Sequence, residues 1–138
     1  GAQIDWGGHD KDSEYIISET IDFDNTIKHV LEFAKKDRET LVLITADHET
    51  GGYGIIDGNI LNKSIEADFL SDDHTATMVP IFAFGPGAKD YIGIYHNNEI
   101  YKKMLNSFQI NKPWILALLT FHCAKVVFKN QTEHNIYM

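Results

Sequence analysis

Apolar positions fall into two short blocks and one long periodic stretch, and these divide the chain into elements. The densest block, Thr40-Leu-Val-Leu-Ile-Thr-Ala46, is rich in β-branched residues and predicts a strand buried on both faces. It breaks off into Asp47-His48-Glu49, which a buried strand would not choose, and Gly51-Gly52 then frees the backbone to turn away. Upstream, Ile16, Phe23, Ile27, Val30, Leu31 and Ala34 recur at helical spacing, predicting a helix from Asp12 or Ser13 to about Asp37. Asp12 or Ser13 supplies the N-cap and Glu14 suits the positive end of the dipole. A kink around residues 20–24 is compatible with the pattern.

Downstream the pattern weakens. Residues 52–57 read as a short strand, with Asp57-Gly58-Asn59 as a turn signal. Residues 60–73 show no period and predict a surface loop. A second buried strand is expected over 79–84, where Pro80 is tolerable near the start and Gly85-Pro86-Gly87 ends it. Asn97 or Asn98 caps a last amphipathic helix reaching about Phe108, with Ile100, Met104 and Leu105 inward. From Gln109 the chain changes character. Its apolar residues come as a block without a polar face, so residues 109–138 are expected to be peripheral, as a loose helix around 114–128 or without order.

The chain's 138 residues amount to about one domain, and 43% apolar content suffices for a core. The formal charge of −8 argues against a nucleic-acid binder, which needs a basic patch to neutralise phosphates. The longest apolar run, residues 114–121, is far short of the roughly 20 residues of a membrane span. A single cysteine rules out an internal disulfide and any thiolate zinc cluster. Any metal must therefore be held by His and carboxylate. The chain opens on Gly1-Ala-Gln-Ile-Asp5 without Met or leader, as if cut from the interior of a longer sequence.

Five residues form the candidate site: Asp5, His9, Asp47, His48 and His74. Asp5 and His9 are four apart, which puts a carboxylate and an imidazole one turn from each other if the segment coils. Asp47 and His48 sit where an apolar strand stops, the position at which open α/β sheets bind ligands. Burial there is costly unless such side chains are paired or coordinate a metal. His74 follows an acidic loop and precedes a strand. The plainer alternatives are that Asp47 caps a turn and that His48 bonds a backbone carbonyl. His29, His96, His122 and His134 read as surface or loop residues. Gly85-Pro86-Gly87 lacks the Gly-Lys-Ser/Thr ending of a phosphate loop, and no Gly-x-Ser-x-Gly elbow occurs.

Taken in order, Gly1-Ala-Gln-Ile-Asp5-Trp-Gly-Gly-His9, Thr45-Ala-Asp47-His48-Glu-Thr-Gly-Gly52, His74-Thr-Ala76 and Phe84-Gly-Pro-Gly-Ala88 resemble the carboxyl-terminal part of an alkaline phosphatase. The resemblance covers residues 1–106 and leaves 107–138 as an unassigned tail. It implies an incomplete three-layer α/β/α sandwich lacking its amino-terminal part. It also implies two Zn2+ ions, one held by Asp5, His9 and His74 and the other by Asp47, His48 and a further Asp upstream, with one Mg2+ held mostly outside this chain. The implied reaction is hydrolysis of phosphate monoesters: a serine attacks phosphorus, a phosphoserine forms, and water activated at zinc releases inorganic phosphate. Periplasmic or extracellular location, and a homodimer of the full-length protein, are further implications.

Departures from the family pattern matter as much. The magnesium-binding Glu of the motif falls just before Gly1, and the nucleophilic Ser and phosphate-clamping Arg belong to the part upstream, so no catalytic nucleophile is expected within this chain. Trp6 occupies a variable position where other members carry Lys or His. Two alternatives are a superfamily relative of the phosphoglycerate mutase or phosphopentomutase type and an inactive metal-binding module. The motifs around Asp5 and Asp47 favour the phosphatase.

Overall fold

The computed structural model describes residues 1–108 and the strand at 126–129. The described residues divide into two compact units, residues 1–26 with 46–80 and residues 27–45 with those from 81 onward.

In the first unit, helix α1 (Ala2–His9) leads into helix α2 (Ser13–Asp37), whose first half belongs here. Asp12 is the N-cap, its Oδ1 accepting the Tyr15 N–H at 3.0 Å. α2 is one continuous helix, with no break over residues 20–24. Past Ala46 come β2 (Glu49–Thr50), β3 (Gly54–Asn59), β4 (Ser64–Asp68) and β5 (His74–Thr75). β2 pairs antiparallel with β5, and β3 with β4.

The β3–β4 hairpin corrects two expectations. Asp57-Gly58-Asn59 lies within a strand instead of turning, and part of the expected loop over 60–73 is β4. The reversal falls at residues 60–63, where Asn59 Oδ1 accepts the N–H groups of Leu61 (2.9 Å) and Asn62 (3.1 Å). All of β3 is exposed and most of β4 is too, so no face had to be apolar and no alternation marks them.

The second unit is built on β1 (Thr40–Thr45), the centre of a three-stranded antiparallel sheet ordered β6-β1-β7. β6 is Ile81–Phe84 and β7 is Val126–Lys129. The register sets Val42 opposite Phe84 on one side and Val127 on the other. The tail helix expected around 114–128 is therefore replaced by strand over its last three positions, and the rest of that expectation lies outside the described residues.

β1 is buried as anticipated, with Leu41, Val42 and Leu43 at 4%, 2% and 4% exposure, whereas β6 alternates half-buried and exposed. Leu41 and Leu43 pack with Tyr91 and with Met104 of helix α3 (Asn98–Ser107), joined by Ile81, Ala83, Ala88 and Ile100. Leu41, Leu43 and Met104 each contribute about 1.5–3 kcal/mol on burial. Thr40, also buried, satisfies its hydroxyl by donating to Asp37 Oδ2 at 2.6 Å. Gly85 ends β6 at φ +105°, and a Cβ there would lie 2.2 Å from the Thr40 carbonyl oxygen. Only glycine fits. Among the described residues no helix is long and apolar enough to cross a membrane.

Candidate metal centre

All five candidate residues lie in the first unit. Asp5 and His9 share one face of α1, with His9 Nε2 3.7 Å from Asp5 Oδ1. The helix comes close to β2 because Gly8 is buried and lacks a side chain, while Gly7 faces Tyr15 and Ile16 of α2. A Cβ on Gly8 would meet the Thr50 carbonyl oxygen at 2.8 Å.

Pairing of β2 with β5 sets Thr50 opposite His74 and Glu49 opposite Thr75. Glu49 fastens the pair: its Oε2 accepts the Thr75 hydroxyl and its Oε1 accepts the Gly52 N–H at 2.9 Å. The Gly51 turn, at φ +90°, is tied to the loop before His74, donating to the Asp73 carbonyl and accepting from Leu70 and Ser71. His74 is thereby delivered to α1, with Nε2 3.9 Å from Asp5 Oδ1. Its ring stacks on His48 with centroids 3.6 Å apart and lies 5.2 Å from the His9 ring. Asp47 Oδ2 is 3.5 Å from His48 Nε2.

Among the described residues, the three whose ligand atoms all fall within 4.8 Å of one another are Asp5, His48 and His74. The expected division groups Asp5 with His9 and His74, and His48 with Asp47; the five lie in one continuous cluster, with His9 at one flank and Asp47 at the other. His29 is exposed, as is His96, and His122 and His134 lie outside the described residues. Trp6 is 56% exposed.

The donor chemistry suits a cation. His9 Nδ1 lies 2.8 Å from the Asp72 carbonyl, which only accepts, so in the neutral ring the proton sits on Nδ1. His9 Nε2 then turns a lone pair toward Asp5 Oδ1, acceptor facing acceptor. Either a proton or a metal ion relieves that opposition. Accordingly the hydrogen bond to Asp72 holds the His9 pKa above its ordinary 6.5, burial opposes, and the Asp5 carboxylate adds to the rise. Mixed imidazole and carboxylate donors without a thiolate fit zinc and related divalent ions. Sequence spacing missed Thr50, Glu49 and the Asp72 carbonyl, none of which carries a signature of its own.

A cluster of two carboxylates and three imidazoles, held by a helix and a short antiparallel strand pair, defines a candidate metal-binding protein. Residues 1–68 match the family model for alkaline phosphatase. The chain is 48% identical to the solved alkaline phosphatase of the Antarctic bacterium TAB5, with TM-score 0.73, covering 80% of this chain and 34% of that one. A variant of the TAB5 enzyme with Mg bound in its M3 site is 46% identical, with TM-score 0.69, over 75% of this chain and 33% of that one. Alkaline phosphatase 4 of Bacillus subtilis is 36% identical over 79% of this chain and 24% of its own length. This chain belongs to the alkaline phosphatase family, and it spans about a quarter to two-fifths of the length of the first curated relatives it matches.

Proposed function

We propose that the chain supplies most of the zinc ligands of a phosphate monoesterase. One observation carries the reading: Asp5, His48 and His74 come within 4.8 Å of one another, flanked by His9 and Asp47. Ligand atoms on one zinc lie within about 4 Å of each other, and Asp5 Oδ1 already has His9 Nε2 at 3.7 Å and His74 Nε2 at 3.9 Å. In this reading Asp5, His9 and His74 hold one zinc, Asp47 and His48 contribute to a second, and one Mg2+ binds mostly through residues outside this sequence. Zinc there polarises phosphoryl oxygens and stabilises developing negative charge. Asp5 bridges the imidazoles, and Glu49 fixes the strand pair that presents His48 and His74.

The serine that would form the phosphoserine intermediate is expected outside this sequence. The full-length protein is read as a three-layer α/β/α sandwich, a homodimer and periplasmic or secreted, with residues 1–106 as its carboxyl-terminal part. Support comes from family membership alone for these points.

Cobalt(II) titration tests the metal reading. The chain should develop visible d–d bands of His/carboxylate coordination, lost in His74→Ala. Failure to take up cobalt or zinc at micromolar concentration overturns it.

A further inference from the structure

Thr50 sits between two of the candidate ligands. Its Oγ1 lies 2.5 Å from Asp5 Oδ1 and 3.2 Å from His48 Nδ1. A hydroxyl has one proton to give, and an ionised carboxylate can only accept. The Thr50 proton therefore goes to Asp5, leaving only a lone pair for His48. For that second contact to be a hydrogen bond, His48 must carry its proton on Nδ1 when neutral. Its Nε2 is then a bare lone pair, 3.5 Å from Asp47 Oδ2, in a ring that shares a candidate ligand group with Asp5 and His74. Close packing holds the hydroxyl in place, since Gly8 leaves room for Thr50 where a Cβ would lie 3.0 Å from its Cβ and Cγ2.

We infer that Thr50 is a positioning residue that orients Asp5 and sets His48 in the tautomer whose Nε2 ligates metal, linking the two groups of ligands through one hydroxyl. The inference deepens the metal reading and rests on it. Partners of this kind commonly change metal affinity about 10–100-fold. Thr50→Val keeps the branched shape favoured in a strand and removes only the hydroxyl's hydrogen bonding.

Two measurements on the purified chain separate the possibilities. Long-range proton–nitrogen NMR of the metal-free chain, at a pH where His48 is neutral, should show its proton on Nδ1. In Thr50→Val the proton should redistribute toward Nε2, and Thr50→Ser should restore the original signature. Zinc calorimetry should show Thr50→Val weakened by about 10–100-fold and Thr50→Ser close to the parent. A His48 proton on Nε2 in the unsubstituted chain, or an unchanged tautomer and zinc affinity in Thr50→Val, overturns the inference. Absence of zinc uptake by the unsubstituted chain overturns the metal reading instead, while the metal-free NMR still decides the role of Thr50.

Discussion

Asp5 Oδ1 lies 3.9 Å from His74 Nε2, joining the first helix to the last short strand of the same unit. That oxygen is also 3.7 Å from His9 Nε2 and accepts the Thr50 hydroxyl. Asp5 is thus the residue on which the cluster converges, and Asp5→Asn replaces its anionic acceptor with a neutral amide. Zinc affinity by calorimetry should fall by more than the roughly 10–100-fold that loss of an outer partner costs. His29→Ala, on an exposed part of α2, should leave it unchanged.

The parts of this arrangement legible in sequence are those fixed by local chemistry. β1 shows itself because Thr40 to Leu43 are all buried, and α1 brings Asp5 to His9 because a helix sets four-apart residues on one face. What joins them was not legible. Nothing in Glu49-Thr50 announces a strand, since two residues carry no period and their pairing with His74-Thr75 is non-local. The β3–β4 hairpin stayed hidden because its strands face water. Likewise the antiparallel partners of β1 follow from pairing between distant segments, which an apolar run does not specify. Residue type and placement already pick out the five candidate positions, and motif resemblance then divides them between two metals.

Gly85→Ala should destabilise the second unit strongly. Its φ of +105° disfavours any side chain, and the new Cβ would sit 2.2 Å from the Thr40 carbonyl oxygen at the buried start of β1. We expect a loss above about 1 kcal/mol, seen as a lower urea midpoint. Gly54→Ala is the control: it has no positive φ and nothing within 4 Å of the added carbon, so its midpoint should barely move.

Alkaline pH should weaken the core around Tyr91. Burial raises the Tyr91 pKa above its ordinary 10.0, while the Ser107 hydroxyl, 3.2 Å from the phenol oxygen, acts the other way. Above pH 10.0 the unfolded chain releases this proton while the folded chain retains it. The folded state then binds more protons, so stability falls as pH rises from there through the folded pKa. Below that window the contribution is constant. Tyr91→Phe should make the decline above pH 10.0 shallower in thermal melts, though not abolish it, because burial also raises Tyr95. An equally steep decline would show that Tyr91 is not its source.

Phosphatase activity is the outcome with most consequence, and the chain by itself should have none that is appreciable. Asp5, His9, Asp47, His48 and His74 are ligands in our reading and leave no attacking group among themselves. Of the hydroxyls near them in sequence, Thr45 lies within β1, and Thr50 donates to Asp5. Ser71 is engaged in its own loop, its Oγ accepting the Asp73 N–H at 3.0 Å. A ligand cluster without a nucleophile and a phosphate clamp lacks the groups that stabilise the charge developing at phosphorus. Those groups supply many of the kcal/mol by which enzymes lower a barrier. The chain, loaded with zinc and magnesium, should therefore hydrolyse a chromogenic phosphate monoester at alkaline pH no faster than the same metals without protein. Turnover near about one per second, within the ordinary enzymatic range, that disappears in His74→Ala would mean the nucleophile lies within these 138 residues.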